Sequence, residues 1–115
     1  MTTLRIEHAI HDYDRWKAAF DSFAEARAKA GVRGFAIRQP ADDPKYLMLD
    51  LEFEGAGQAA AFASFLEQRV WSSPDSAPAL AGLPRTRILD LVGSGAVEPV
   101  SHRLGWPGLP SGPGD

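Results

Sequence analysis

Tyr46-Leu-Met-Leu-Asp-Leu-Glu-Phe-Glu54 carries the cleanest alternation in the chain. Leu47, Leu49, Leu51 and Phe53 fall on one side, and Tyr46, Met48, Asp50 and Glu52 on the other. A period of two with one apolar side predicts a strand packed against a core on one face only. Upstream, Pro40-Ala-Asp-Asp-Pro44 is turn chemistry, so residues 32–39 form an antiparallel neighbour with Phe35 and Ile37 on one side. Downstream, Gly55 and Gly57 break the strand, and Ala59, Phe62, Ala63, Leu66 and Val70 recur at helical spacing. Ser72-Ser73-Pro74 ends that helix, because the residue before proline is pushed out of the α region. Residues 72–84 read as a Pro/Ser/Ala loop with a helical turn begun at Ser73 and Pro74, and 86–92 as a last strand.

The N-terminal part follows the same grammar. Leu4, Ile6, His8 and Ile10 share one face of a first strand, with Arg5 and Glu7 opposite. Asp12 or Asp14 can cap a helix whose stripe is Trp16, Ala19, Phe20, Phe23, Arg27 and Ala30. Gly31 stands where a left-handed C-terminal glycine belongs, with Val32 as its apolar partner. The order βαββαβ is the ferredoxin-like α+β unit, with helices on one face of a four-stranded antiparallel sheet. Residues 1–92 make that domain. In 93–115, ten of 23 residues are Gly or Pro, against ten in the preceding 92, so this is a tail that can strap a partner subunit.

Composition excludes several classes. The 115 residues suit one domain, and 44% hydrophobic with 23% charged residues is globular. Cysteine is absent, which removes disulfides, thiol nucleophiles and thiolate metal sites. A net charge of −3 argues against a phosphate-tracking nucleic-acid surface. Apolar runs are too short to span a membrane, and the first residues lack the apolar stretch of a secretory signal, so a cytoplasmic domain is expected.

The sheet face away from the helices should present Tyr46, Met48, Asp50 and Glu52, flanked by Arg5, Glu7, Ala36, Arg38, Ile88 and Asp90. Such a mixed, sticky face is usually covered, so a homodimer is expected, with Arg5 and Arg38 facing acids from either subunit. A solvated polar face is the alternative.

His8-x4-Tyr13-Asp14-x-Trp16-Lys17-x2-Phe20, Asp42-Asp43-Pro44, Glu52-Phe53 and the Ala/Phe-rich second helix resemble the dimeric α+β barrel superfamily over about residues 3–92. The likeness is to its antibiotic-biosynthesis-monooxygenase-like branch and to small cyclase-like proteins. It implies a ligand pocket between the sheet and helices of one protomer, lined here by Ile6, His8, Tyr13, Trp16, Phe20, Phe35, Leu49, Leu51, Phe62, Leu66 and Trp71. It also implies a cofactor-independent enzyme, monooxygenase or cyclase, acting on an aromatic or polyketide-like molecule. His8 is the one group there that titrates near neutrality, suited to act as base or enolate-binder. Tyr13 can donate to a ligand carbonyl, and Trp16 and Trp71 can shape the site. The competing reading makes His8 a core-rim residue satisfied by a carbonyl or by Tyr13, the tryptophans packing residues, and the protein a non-catalytic dimeric binding or scaffold protein.

No metal or other cofactor is expected. His8 and His11 point to opposite faces of a strand, and no third ligand is placed by spacing. Haem-degrading relatives use a late axial histidine and an asparagine; this chain has no asparagine and no histidine between Asp12 and Val100. Gly55-x-Gly57 lacks the rest of a phosphate loop, Ser72, Ser73 and Ser76 lack a nucleophile elbow, and Asp42-Asp43 is turn chemistry.

Overall fold

β3 (Tyr46–Phe53) and β1 (Thr2–Ala9) form the centre of the sheet because they carry the strongest apolar alternation. Leu4, Ile6, Leu47, Leu51 and Phe53 are all fully buried. In this computed structural model, which describes residues 1–72 and 81–97, β2 (Gly34–Arg38) and β4 (Arg85–Asp90) take the edges. The strand order is β2-β3-β1-β4 and every pairing is antiparallel. Register pairs Leu4 with Leu51, Ile6 with Leu49 and His8 with Leu47, so His8 falls on the side the helices cover. This is the expected ferredoxin-like α+β architecture.

The helical layer departs from the sequence reading in two places. Asp12 caps α1 (Tyr13–Ser22) as expected, its carboxylate accepting from the Arg15 amide at 2.9 Å. The helix does not run on to residue 30. It breaks at Phe23, with φ −101° and ψ 18°, and restarts as α2 (Ala24–Ala30). The Ser22 hydroxyl donates to the Ala19 carbonyl at 2.6 Å, and the Phe23 amide turns to Phe20 at 3.2 Å. Such back-bonding by serine competes with the helical ladder and bends it. The second helix is likewise divided. α3 (Ala56–Phe65) passes into a π turn over Leu66–Val70, closed by the Trp71 amide donating to the Leu66 carbonyl at 2.7 Å. π turns inside helices are frequent at functional sites.

Gly31 ends α2 at φ +92°, with its own amide on Ala28 and the Val32 amide on Arg27, the paired bonds of a Schellman cap. A Cβ at this position would stand 2.7 Å from the Gln58 side-chain nitrogen on α3. Gly31→Ala should therefore cost about 1–2 kcal/mol, from left-handed strain and a displaced Gln58. A lowered urea midpoint at unchanged m-value checks this.

β4 corrects the sheet reading. It opposes Thr2 with Asp90, Leu4 with Ile88 and Arg5 with Arg87. Directly opposite residues share a face, so Ile88 and Asp90 lie on the helix side, not on the open face. Arg85, Arg87 and Leu89 stand on the open face instead. Adjacent Ile88-Leu89 and Leu91-Val92 give this strand no clear two-residue period, so the alternation does not fix its facing. The expected helical turn at Ser73-Pro74 lies outside the described residues, as does the tail from 98 to 115. Residues 91–97 are exposed and irregular.

Candidate functional site

Between the sheet and the helices lies a cavity of about 80 Å3. Its floor is Ile6, His8, Leu49 and Leu51 from the two central strands. Trp16, Ala19, Phe20, Phe23 and Arg27 form one wall, and Phe62, Leu66, Val70 and Trp71 the other. The wider π turn keeps Leu66, Val70 and Trp71 together at that second wall.

His8 is 4% exposed. Its Nδ1 lies 3.1 Å from the Ala9 carbonyl oxygen. A carbonyl only accepts, so Nδ1 carries the proton in the neutral ring and Nε2 is left as the basic nitrogen. Burial pushes the imidazolium below its ordinary value of 6.5, against a smaller opposing effect of the Ala9 carbonyl. His8 is therefore a neutral base at pH 7. The expected satisfaction by a carbonyl holds at Nδ1, while Tyr13 makes no hydrogen bond to the ring among the described residues.

An aromatic wall runs away from His8. The Trp16 ring lies 6.3 Å from the imidazole, and Phe20 stacks on Trp16 at 5.0 Å. Tyr13 and Phe35 do not line the cavity. Tyr13 stacks behind Trp16 at 6.1 Å, and Phe35 meets Phe20 edge-on at 5.0 Å. Phe35 faces the helix side opposite Leu51, yet it sits on an edge strand and is 51% exposed. Of the expected lining residues, all but Tyr13 and Phe35 come together here: Ile6, His8, Trp16, Phe20, Leu49, Leu51, Phe62, Leu66 and Trp71.

Arg27 was legible only as a member of the helix stripe. Its guanidinium carbon lies 3.6 Å from the Phe20 ring centroid and 5.7 Å from that of Phe35, and its Nη1 donates to the Phe20 carbonyl. The break at Phe23 opens the geometry that allows this. Burial lowers its pKa from the ordinary arginine value, with the Asp21 charge opposing. A cation seven residues after Phe20, inside an otherwise apolar stripe, was the available signal.

On the open sheet face, Arg5 forks onto Asp50, Nε to Oδ1 at 2.8 Å and Nη2 to Oδ2 at 2.9 Å. Arg38 adds a third contact to Asp50 at 3.2 Å. The Arg5 hydrogen bonds hold the Asp50 carboxyl below the usual range against burial, and the charges of Arg5 and Arg38 add to this. Tyr46 donates to Glu7 at 3.0 Å and Thr3 to Glu52 at 2.7 Å. Both expected arginines thus pair within their own chain. Met48 is half-buried among them, and Asp90 is not on this face. No group of three or more His, Cys, Asp or Glu is placed to hold a metal among the described residues. No helix among them is long and apolar enough to cross a membrane.

No family model matches the chain, and no curated protein matches it. Solved structures do. SnoaB, a cofactor-independent oxygenase from Streptomyces nogalater, superposes with a TM-score of 0.61 at 12% identity, covering 81% of this chain and 94% of its own. A Nitrosomonas europaea protein assigned as an antibiotic biosynthesis monooxygenase gives 0.59 at 22% identity, over 81% and 100%. A dimeric ferredoxin-like protein from an uncultured marine organism gives 0.56 at 10% identity, over 81% and 96%. At such identities the likeness is one of fold: this chain has a ferredoxin-like α+β fold, and structures described as antibiotic biosynthesis monooxygenases recur among those it resembles.

Proposed function

We propose that the chain is a small cofactor-independent enzyme acting on a hydrophobic aromatic or polyketide-like molecule, with His8 as its base. The observation that carries this is a buried, neutral imidazole with a directed proton, set in an otherwise apolar cavity beside an aromatic wall. Nε2 takes a proton from an acidic phenol or from a CH2 activated by a neighbouring carbonyl. In the monooxygenase course, the resulting anion supplies electrons to dissolved oxygen. One oxygen atom becomes the new carbonyl and the other leaves as water. In the cyclase course, the same enolate attacks a carbonyl of its own molecule and consumes no oxygen.

The cavity is about half the ~150 Å3 apolar void that takes up a benzene ring. A fused aromatic substrate thus enters when a wall moves, and Trp71, half-buried at the end of the π turn, is the side chain placed to swing. That small volume also favours the second reading, a non-catalytic dimeric binding or scaffold protein. An oxygen electrode with an anthrone-type quinol separates these. Uptake of one O2 per quinone formed supports the oxygenase, and ring closure without uptake moves the reading to the cyclase. A folded protein that neither turns over nor binds a panel of quinol, polyketide-like phenol and lactone leaves the scaffold reading.

The assembly we propose is a homodimer closed over the face of Arg5, Arg38, Tyr46, Met48, Asp50 and Glu52. Half-buried Met48 and a charge-satisfied Asp50 make this face ready to be covered. Sedimentation should give twice the chain mass, and Met48→Lys should shift it toward the monomer. A wild-type monomer at micromolar concentration ends this proposal.

A further inference from the structure

Arg27 is an anomaly in a cavity whose other walls are apolar or aromatic, His8 excepted. Its guanidinium stacks on Phe20 and gives one N–H to the Phe20 carbonyl, which uses one of five donors. No carboxylate lies within salt-bridge distance of it among the described residues. Nearby acids are committed elsewhere or lie outside: Asp21 pairs with Lys17 at 2.8 Å, and Glu25 approaches Lys29 at 3.8 Å, both at the exposed surface. A half-buried cation with remaining donors and no internal counter-ion is a receptor for an anion that comes from outside.

Its position relative to His8 adds a length and a shape. Imidazole, Trp16, Phe20 and guanidinium follow one another in steps of 6.3, 5.0 and 3.6 Å. The two functional groups thus line one cavity with a stacked aromatic row between them, and a flat molecule set against the edges of those rings meets the base from one side of the row and the cation from the other. Phe35 meets Phe20 edge-on and places a second aromatic ring 5.7 Å from the guanidinium, which adds a weaker cation–π contact.

Resting on the enzyme reading above, we infer that the site selects planar hydrophobic acids, with Arg27 binding a carboxylate or acidic phenolate of the substrate while His8 meets its reactive C–H or O–H. Arg27 is then a specificity residue rather than a packing arginine. Neutral ring systems of the same shape bind less well. The remaining donors of a planar guanidinium suit a two-oxygen anion better than a single charge.

The test compares 2-naphthoate with its neutral isostere 2-naphthamide, by titration calorimetry on the full chain. Wild type should prefer the acid by about tenfold or more, as charge-assisted hydrogen bonds in a desolvated site give. Arg27→Met keeps most of the stem that covers Phe20 and removes the charge. It should abolish the preference while its affinity for the amide stays within about threefold of wild type. Arg27→Lys should retain part of the preference, and it serves if the methionine variant unfolds. An acid preference that survives in Arg27→Met, or equal binding of acid and amide by wild type, overturns the inference while leaving the pocket and the role of His8 standing. Absence of binding by both probes to the folded wild type overturns it together with the pocket reading.

Discussion

Phe53→Ala should lower the stability of the chain by about 3–5 kcal/mol, the usual cost of emptying a fully buried aromatic site. Phe53 is 0% exposed and ends the central strand under α3, with the Phe62 ring 6.1 Å away. Two terms act together: the transfer of the lost ring to water, and the void left between a hydrogen-bonded strand and a helix that cannot close onto it. Domains of this size are stable by roughly 5–15 kcal/mol, so the loss is about a fifth of the total or more. The thermal midpoint should fall by more than about 12 °C. Phe35→Ala is the internal control. Phe35 lies on the same side of the sheet but on an edge strand, mostly in water, and should cost about 1 kcal/mol or less. Urea unfolding followed by circular dichroism gives both numbers. A Phe53→Ala midpoint within error of wild type would mean that β3 does not anchor the core in this register.

The contrast between those phenylalanines shows where the sequence was informative. Period two in 46–54 fixes which side of a strand a residue takes, and the burial of β3 follows it except at Asp50, which is buried under its arginine partners. It says nothing about whether the strand is central or edge, and burial depends on both. Phe35 takes the side the alternation predicts and yet does not line the cavity, because β2 is an edge strand and the cavity floor is formed by the two central strands. On β4 even the side was lost, since apolar residues at 88, 89, 91 and 92 fit neither phase of the alternation. Only its pairing with β1, a long-range contact, places Arg87 beside Arg5 and turns Asp90 away.

The helices illustrate a second limit. Spacing identified Trp16, Phe20, Phe62 and Leu66 as inward-facing, and they are. The break at Phe23 and the π turn at Leu66–Val70 each depend on one or two hydrogen bonds that leave no trace in hydrophobic period. Both alter the site: the first accompanies the placement of Arg27 over Phe20, the second brings Val70 and Trp71 to one wall. The cap residues Asp12 and Gly31, by contrast, were readable because their chemistry is local.

His8→Ala should reduce turnover of an accepted substrate by about a hundredfold to ten-thousandfold, the usual contribution of a positioned general base. The loss should fall on kcat more than on KM, because the imidazole acts on the proton in flight rather than on the hydrophobic body of the ligand. The pH profile gives a sharper reading. Burial favours the neutral ring, so the acid limb of wild-type turnover should have its midpoint below the ordinary histidine value of 6.5, and His8→Ala should lack that limb. The same preference has a stability counterpart with a definite sign. Below pH 6.5 the unfolded chain takes up a proton on His8 that the folded chain resists, so the unfolded state binds more protons. Stability contributed by the neutral buried ring is therefore present above pH 6.5 and is lost as pH falls toward the lower folded value. His8→Phe should remove that part of the pH dependence, since it keeps an aromatic group and cannot titrate. An unchanged kcat in a folded His8→Ala protein would reduce His8 to a core residue tied to the Ala9 carbonyl. Retained turnover with a shifted acid limb would instead assign the base to another group. A lost kcat with a lost limb leaves Nε2 as the atom that takes the proton.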